Sequence, residues 1–175
     1  MKSKAFMKTK TTRPKRGAAK TRTAPRRIKS ILVPIDFSAP SKQALAYAVP
    51  FAEQFGAKLT LLNVVEPVAT PDFATSFPLA MENDRVMAEC RRELERVVKQ
   101  AGIDPGLVAK TLVRFGRSFH EIADAARTLK VDLIIIATHG YTGLKHALLG
   151  STTERVVRHA SCPVLVVRER EKGFV

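Results

Sequence analysis

Cysteine is scarce in this chain: Cys90 and Cys162 are the only two, and they form neither a CxxC pair nor any metal-ligand spacing. They read as ordinary packing thiols in a reduced compartment, which points to a cytoplasmic setting. There is no run of 18 apolar residues and no apolar secretory core behind a basic start, so neither a membrane span nor export is expected. Acidic residues are missing altogether from positions 1–27, which carry eleven Lys and Arg. Apart from Phe6 no aromatic residue interleaves those charges, as base-stacking platforms would require.

This stretch also has too few large apolar groups to offset the entropy of ordering, so residues 1–27 are expected to be a disordered basic tail. It is suited to weak polyanion contacts or to solubilisation, and it loosely matches an organelle transit peptide. The rest of the chain holds nineteen basic and sixteen acidic residues, so the net charge of +14 belongs mainly to the tail. The full chain is 45% hydrophobic, and positions 28–170 suffice for one compact domain.

Within that domain short apolar runs alternate with longer amphipathic ones, the pattern of a parallel α/β sheet. Strands are expected at 31–36, 58–65, 108–115, 132–138 and 163–167. Ser38 caps a helix running to Phe55 and stopped by Gly56, with Pro50 expected to kink or break it near Val49. Residues 66–78, with three prolines, read as a long loop before a charged helix from Leu79 to Ala101. Ser118 to Glu121 has capping-box spacing and opens a helix to Leu129; Ser151 to Glu154 has the same spacing and opens one to His159. Right-handed crossovers give a doubly wound five-stranded sheet of order 3-2-1-4-5 flanked by four helices.

That order puts a topological switch point between the first and fourth strands, where an open α/β sheet binds its ligand. Asp36 ends the first strand, and Ala137-Thr138-His139-Gly140 ends the fourth. Gly150-Ser151-Thr152 then re-enters a helix, whose free N–H groups and partial positive charge suit a phosphate. A Walker A loop is excluded because Ser151, not Lys, follows Gly150, and no GxGxxG follows the first strand. His120 and His159 have no partner spacing and receive no role; Arg117, after Gly116 at the end of the third strand, is within reach of a phosphate but is expected to be a solvated arginine.

Residues 29–168 resemble a universal stress protein domain of the adenine-nucleotide-binding type. The resemblance rests on Ile31–Asp36, Leu61–Val65, Ile135–Gly140, Leu149–Ser151 and Cys162–Val167. The family's ATP signature is Gly, two residues, Gly, nine residues, Gly, then Ser or Thr. The chain matches it at Gly140, Gly150 and Ser151 and departs at the first position, where Ala137 stands.

The resemblance implies an adenine lying against Pro34, Val65 and Ile136 with Ile35 nearby. It also implies phosphates held by Gly140, Gly150, Ser151 and Thr152, with Ala137 and His139 in the same loop. Asp36 would stand near the ribose or near a Mg or Mn ion carried by the nucleotide. A methyl at position 137 would cost between almost nothing and roughly 1–3 kcal/mol of binding if the site is tightly packed. Alanine being the smallest change available, binding of ATP or AMP is expected to survive.

A stress-response regulatory protein is therefore the first expectation. The alternatives are a slow ATPase or phosphotransferase in the same pocket, and a stress protein without nucleotide that acts through protein partners. Catalysis would need a positioned base and metal ligands; the sequence offers Asp36 alone, so no catalytic residue is assigned. The apolar last strand, Val164–Val167, is expected at a sheet edge, and the resemblance implies a homodimer through it.

Overall fold

The computed structural model describes residues 27–67, 76–138 and 149–168. The basic tail up to residue 26, most of the proline-rich loop, and His139 and Gly140 lie outside the described residues. The strands are β1 (Ser30–Pro34), β2 (Lys58–Val65), β3 (Val108–Phe115), β4 (Leu133–Ala137) and β5 (Val164–Val167). They form one parallel sheet of order β3-β2-β1-β4-β5, as the sequence pattern predicts.

The helices are α1 (Ala39–Phe55), α2 (Ser76–Gln100), α3 (Ser118–Thr128) and α4 (Ser151–His159). A 3₁₀ turn at Pro105–Leu107, capped by Asp104, leads into β3. None of the described helices is long and apolar enough to cross a membrane.

Alternation along the strands builds two cores. Odd-numbered residues such as Ile31, Val33, Leu59, Leu61, Ile135 and Ala137 pack with Ala44, Leu45, Ala48 and Ala52 of α1 and Leu94 and Val97 of α2. Even-numbered residues such as Leu32, Leu62, Ile134 and Ile136 pack with Ile122, Ala125 and Ala126 of α3 and Val156 of α4. Both faces of the sheet are thus covered, which is why its strands read as continuous apolar runs.

The first helix obeys its expected caps. The Ser38 hydroxyl accepts from the Ser41 N–H, and Gly56 closes the helix at φ 63, in the left-handed region where glycine carries no Cβ penalty. Of the kink or break expected near Val49, the break does not occur: the helix runs on through Pro50. Four buried residues spaced along it, Ala44, Leu45, Ala48 and Ala52, hold it to the sheet on both sides of the proline. That packing outweighs one missing backbone hydrogen bond. The second helix begins at Ser76 rather than Leu79, which places Pro78 in its first turn, where its missing N–H costs nothing.

Candidate functional site

At the carboxyl ends of β1, β2 and β4 lies a cavity of about 600 Å³. Pro34, Leu62, Val64 and Ile136 of the strands and Ile122 of α3 form its apolar wall, on the side of the sheet covered by α3 and α4. Asp36, Ser41, Glu66 and Ser118 supply polar groups on its rim, and Gly150 through Thr153 close the end beneath α4.

The sequence folds this way for local reasons. Past β1, Phe37 adopts φ 66, uncommon for a non-glycine residue, which turns the chain toward α1 and leaves Asp36 at the cavity. The Asp36 carboxylate accepts from the Ser38 N–H at 3.1 Å and from its hydroxyl, so it also braces the start of α1. Buried Asn63 donates its side-chain N–H to the Ile35 carbonyl at 2.8 Å, pinning the same turn from β2.

At the other end α4 is stapled to β4. The Gly150 N–H donates to the Thr138 carbonyl, and the buried Thr153 hydroxyl donates to the Ala137 carbonyl, each at 2.8 Å. The first intrahelical bond runs from the Glu154 N–H to the Gly150 carbonyl, making Gly150 the N-cap. The expected Ser151 capping box is therefore absent: Ser151 lies one position inside the helix, and among the described residues no side chain caps it. The N–H groups of Ser151, Thr152 and Thr153 are left at the cavity with the positive end of the helix dipole.

The capping box expected at Ser118 is also replaced. Arg117 holds the N-cap position of α3, and the helix start is satisfied from β2, 52 residues away in sequence, where the Glu66 carboxylate accepts the Ser118 N–H at 2.8 Å. Hydrogen bonds from the Ser118 hydroxyl and N–H, helped by nearby Arg117, hold the Glu66 carboxyl below the usual glutamate range.

Of the residues proposed from the sequence, Pro34, Ile35, Asp36, Ile136, Ala137, Gly150, Ser151 and Thr152 line this one cavity. Val65 does not; its side chain packs in the core beneath α1 and α2, and its neighbour Val64 takes the place on the cavity wall. Strand parity explains the exchange, because successive side chains point to opposite faces. Ala137 carries its methyl on that same far face, within the α1 core, although the residue also borders the cavity. Glu66, Ser118 and Thr153 went unread. The one available signal was an acid immediately beyond a buried strand, Glu66 after Val65.

The arrangement can hold an elongated ligand by three means: an anion on the α4 amides, a flat apolar body against Pro34 and Ile136, and hydrogen-bond donors toward Glu66 or Asp36. Comparisons with known proteins place the chain. Residues 27–168 match the model of the universal stress protein family. Universal stress protein MJ0531 of Methanocaldococcus jannaschii is 35% identical over 146 residues, covering 82% of this chain and 84% of that one. Universal stress protein UspA from Lactobacillus plantarum superposes with a TM-score of 0.72 at 31% identity, covering 82% of this chain and 99% of that one. A further universal stress protein, solved in complex with cAMP, shares the fold at 22% identity and a TM-score of 0.58, covering 82% of this chain and 99% of that one.

Proposed function

This chain belongs to the universal stress protein family, and from that premise we propose that it is a stress-response regulatory protein that binds an adenine nucleotide, ATP or AMP, in the cavity at the switch point. The observation that carries the reading is the uncapped start of α4 held against the end of β4. Three backbone N–H groups unclaimed among the described residues, and a helix dipole at the end of an apolar cavity, suit a phosphate attached to an aromatic body.

In this reading Gly150, Ser151 and Thr152 take the phosphates, together with Gly140 and His139 of the adjoining loop. The base lies on Pro34, Val64 and Ile136. Asp36 stands by the ribose or by a Mg or Mn ion carried on the phosphates. Binding and signalling rank above turnover, because the two carboxylates of the cavity, Asp36 and Glu66, already brace helix starts through Ser38 and Ser118. We further propose a cytoplasmic homodimer paired along β5, which lies at the sheet edge, and weak polyanion contacts by a basic tail distinct from the folded domain.

The test is a calorimetric titration of ATP with magnesium into the full chain, with Ser151→Asp beside it. An aspartate in the first turn favours the helix but repels phosphate, so the variant keeps its fold and loses the ligand. Saturable binding to wild type that the variant lacks supports the reading. The absence of both binding heat and thermal stabilisation with ATP or AMP overturns it.

A further inference from the structure

Two helices, α3 and α4, begin at the same cavity, and the structure treats them oppositely. Among the described residues no side chain caps the start of α4. The start of α3 is filled by the Glu66 carboxylate, which accepts the Ser118 N–H at 2.8 Å. The cavity is therefore polarised, with amide donors at one end and an anionic acceptor at the other. Because β2 and β4 flank β1, these ends lie two strand spacings, about 10 Å, apart across the sheet.

A nucleotide anchored by its phosphate on α4 and stacked along Pro34, Ile136 and Val64 reaches Glu66 with the part farthest from the phosphate. In a nucleotide that part is the outer edge of the base, since the sugar hydroxyls lie nearer the phosphate. The Val65 carbonyl takes the Gly116 N–H at 2.9 Å on the side of β3, while alternation puts the Val64 carbonyl on the side of β1, where the Leu62 carbonyl takes the Ile35 N–H, so Glu66 adds a charged acceptor at the cavity end of β2. A carboxylate has about four acceptor sites, of which the Ser118 N–H takes one and leaves others for a ligand.

Resting on the nucleotide reading, we infer that Glu66 is the specificity-determining residue for the base: it accepts from an exocyclic amino group and rejects a carbonyl at the same place. An ionised carboxylate cannot donate, so a carbonyl there meets repulsion and lost solvation in place of a hydrogen bond. The hydrogen bonds that keep Glu66 ionised reinforce the discrimination. The pocket thus selects amino-bearing bases, adenine first, over bases with a carbonyl at that edge. Because Glu66 is exposed at the rim, the preference is set near the lower end of what a charged hydrogen bond supplies, about tenfold in affinity.

Inosine triphosphate, which carries a carbonyl where ATP carries its amino group, is the probe. Affinities of ATP and inosine triphosphate are measured by calorimetry on the full chain and on Glu66→Gln, whose amide can either donate or accept. A wild-type preference for ATP of about tenfold or more, falling to within about threefold in Glu66→Gln, is the expected result. Loosening of the α3 start weakens both ligands alike and leaves their ratio unchanged, so the ratio isolates base reading from a structural role. Equal wild-type affinities, or a preference that persists in Glu66→Gln, overturn the inference and leave nucleotide binding standing. Failure of both ligands to bind overturns the nucleotide reading itself, and the inference with it.

Discussion

Replacing Ala137 with glycine restores the one signature position at which this chain departs from its family, and the structure makes an unexpected forecast for it. If the methyl crowded the ligand, Ala137→Gly would tighten binding. Yet Ala137 is an odd-numbered residue of β4, buried in the core that α1 forms with the sheet. Its methyl points away from the wall made by Pro34, Val64 and Ile136. Removing one buried carbon costs about 0.8 kcal/mol of transfer free energy, and glycine in a strand adds about 0.5–1 kcal/mol of backbone entropy. Together these give a loss of about 1–2 kcal/mol, or roughly 3–8 °C in Tm for a domain of this size. Urea denaturation should move the midpoint by that amount with an unchanged slope, while calorimetry should find ATP affinity within about threefold of wild type, a change below 1 kcal/mol. A Tm that does not fall, or an affinity that rises about tenfold, would show the methyl standing in the pocket and refute the parity argument.

Three other perturbations probe different links of the same chain of reasoning. Thr153→Val keeps the side-chain shape but deletes the buried hydroxyl that donates to the Ala137 carbonyl; it should cost about 1–3 kcal/mol in urea unfolding and weaken ATP binding, and a neutral result on both counts would mean that the staple does not position α4. Glu66 and Asp124 both have carboxyls held below their ordinary values of 4.5 and 3.8, Glu66 first by the Ser118 hydroxyl and Asp124 first by Arg114. A depressed folded pKa stabilises fully above the unfolded value and fades as pH falls through the folded one, so the stability gap between wild type and Glu66→Gln should be flat above about pH 5 and close in acid; a gap that widens in acid contradicts the assignment. Val166→Lys places a charge on the β5 edge and should give monomers by light scattering where wild type gives dimers; a variant that remains dimeric places the contact elsewhere.

Where information was local, or repeated along a segment, the sequence was readable. Ser38 and Gly56 mark the ends of α1 because each satisfies the helix terminus beside it. The strand order follows from the alternation of apolar runs with helices and from the handedness of crossovers. In β2, Leu61-Leu62-Asn63-Val64-Val65 is covered on both faces, so nothing in the run itself tells which side chains face α3. The resemblance implied Val65 beside the base, whereas the side chain that lines the cavity is that of Val64. At Pro50 a local rule forecast a kink or a break, and the packed residues flanking it carry the helix through without a break.

The two Ser-x-x-Glu segments show most clearly what a linear reading cannot reach. Ser118–Glu121 and Ser151–Glu154 carry the same capping-box spacing, and neither forms the box. At α3 the donors are claimed by Glu66, across 52 residues of chain; at α4 the helix starts one residue early, on Gly150, which has no side chain to offer. Identical local patterns thus become an occupied helix start and an open one, and the difference is made entirely by tertiary contacts. That difference orients the ligand. An anion approaching the cavity finds a carboxylate at α3 and bare amides at α4, so electrostatics alone sends the phosphate toward Gly150 and the base toward Glu66. Exchanging the two, by Glu66→Ala together with Ser151→Asp, should free the α3 start for an anion and close the α4 start. If ATP still bound that double variant with undiminished affinity, polarity would not be what sets the direction of the ligand.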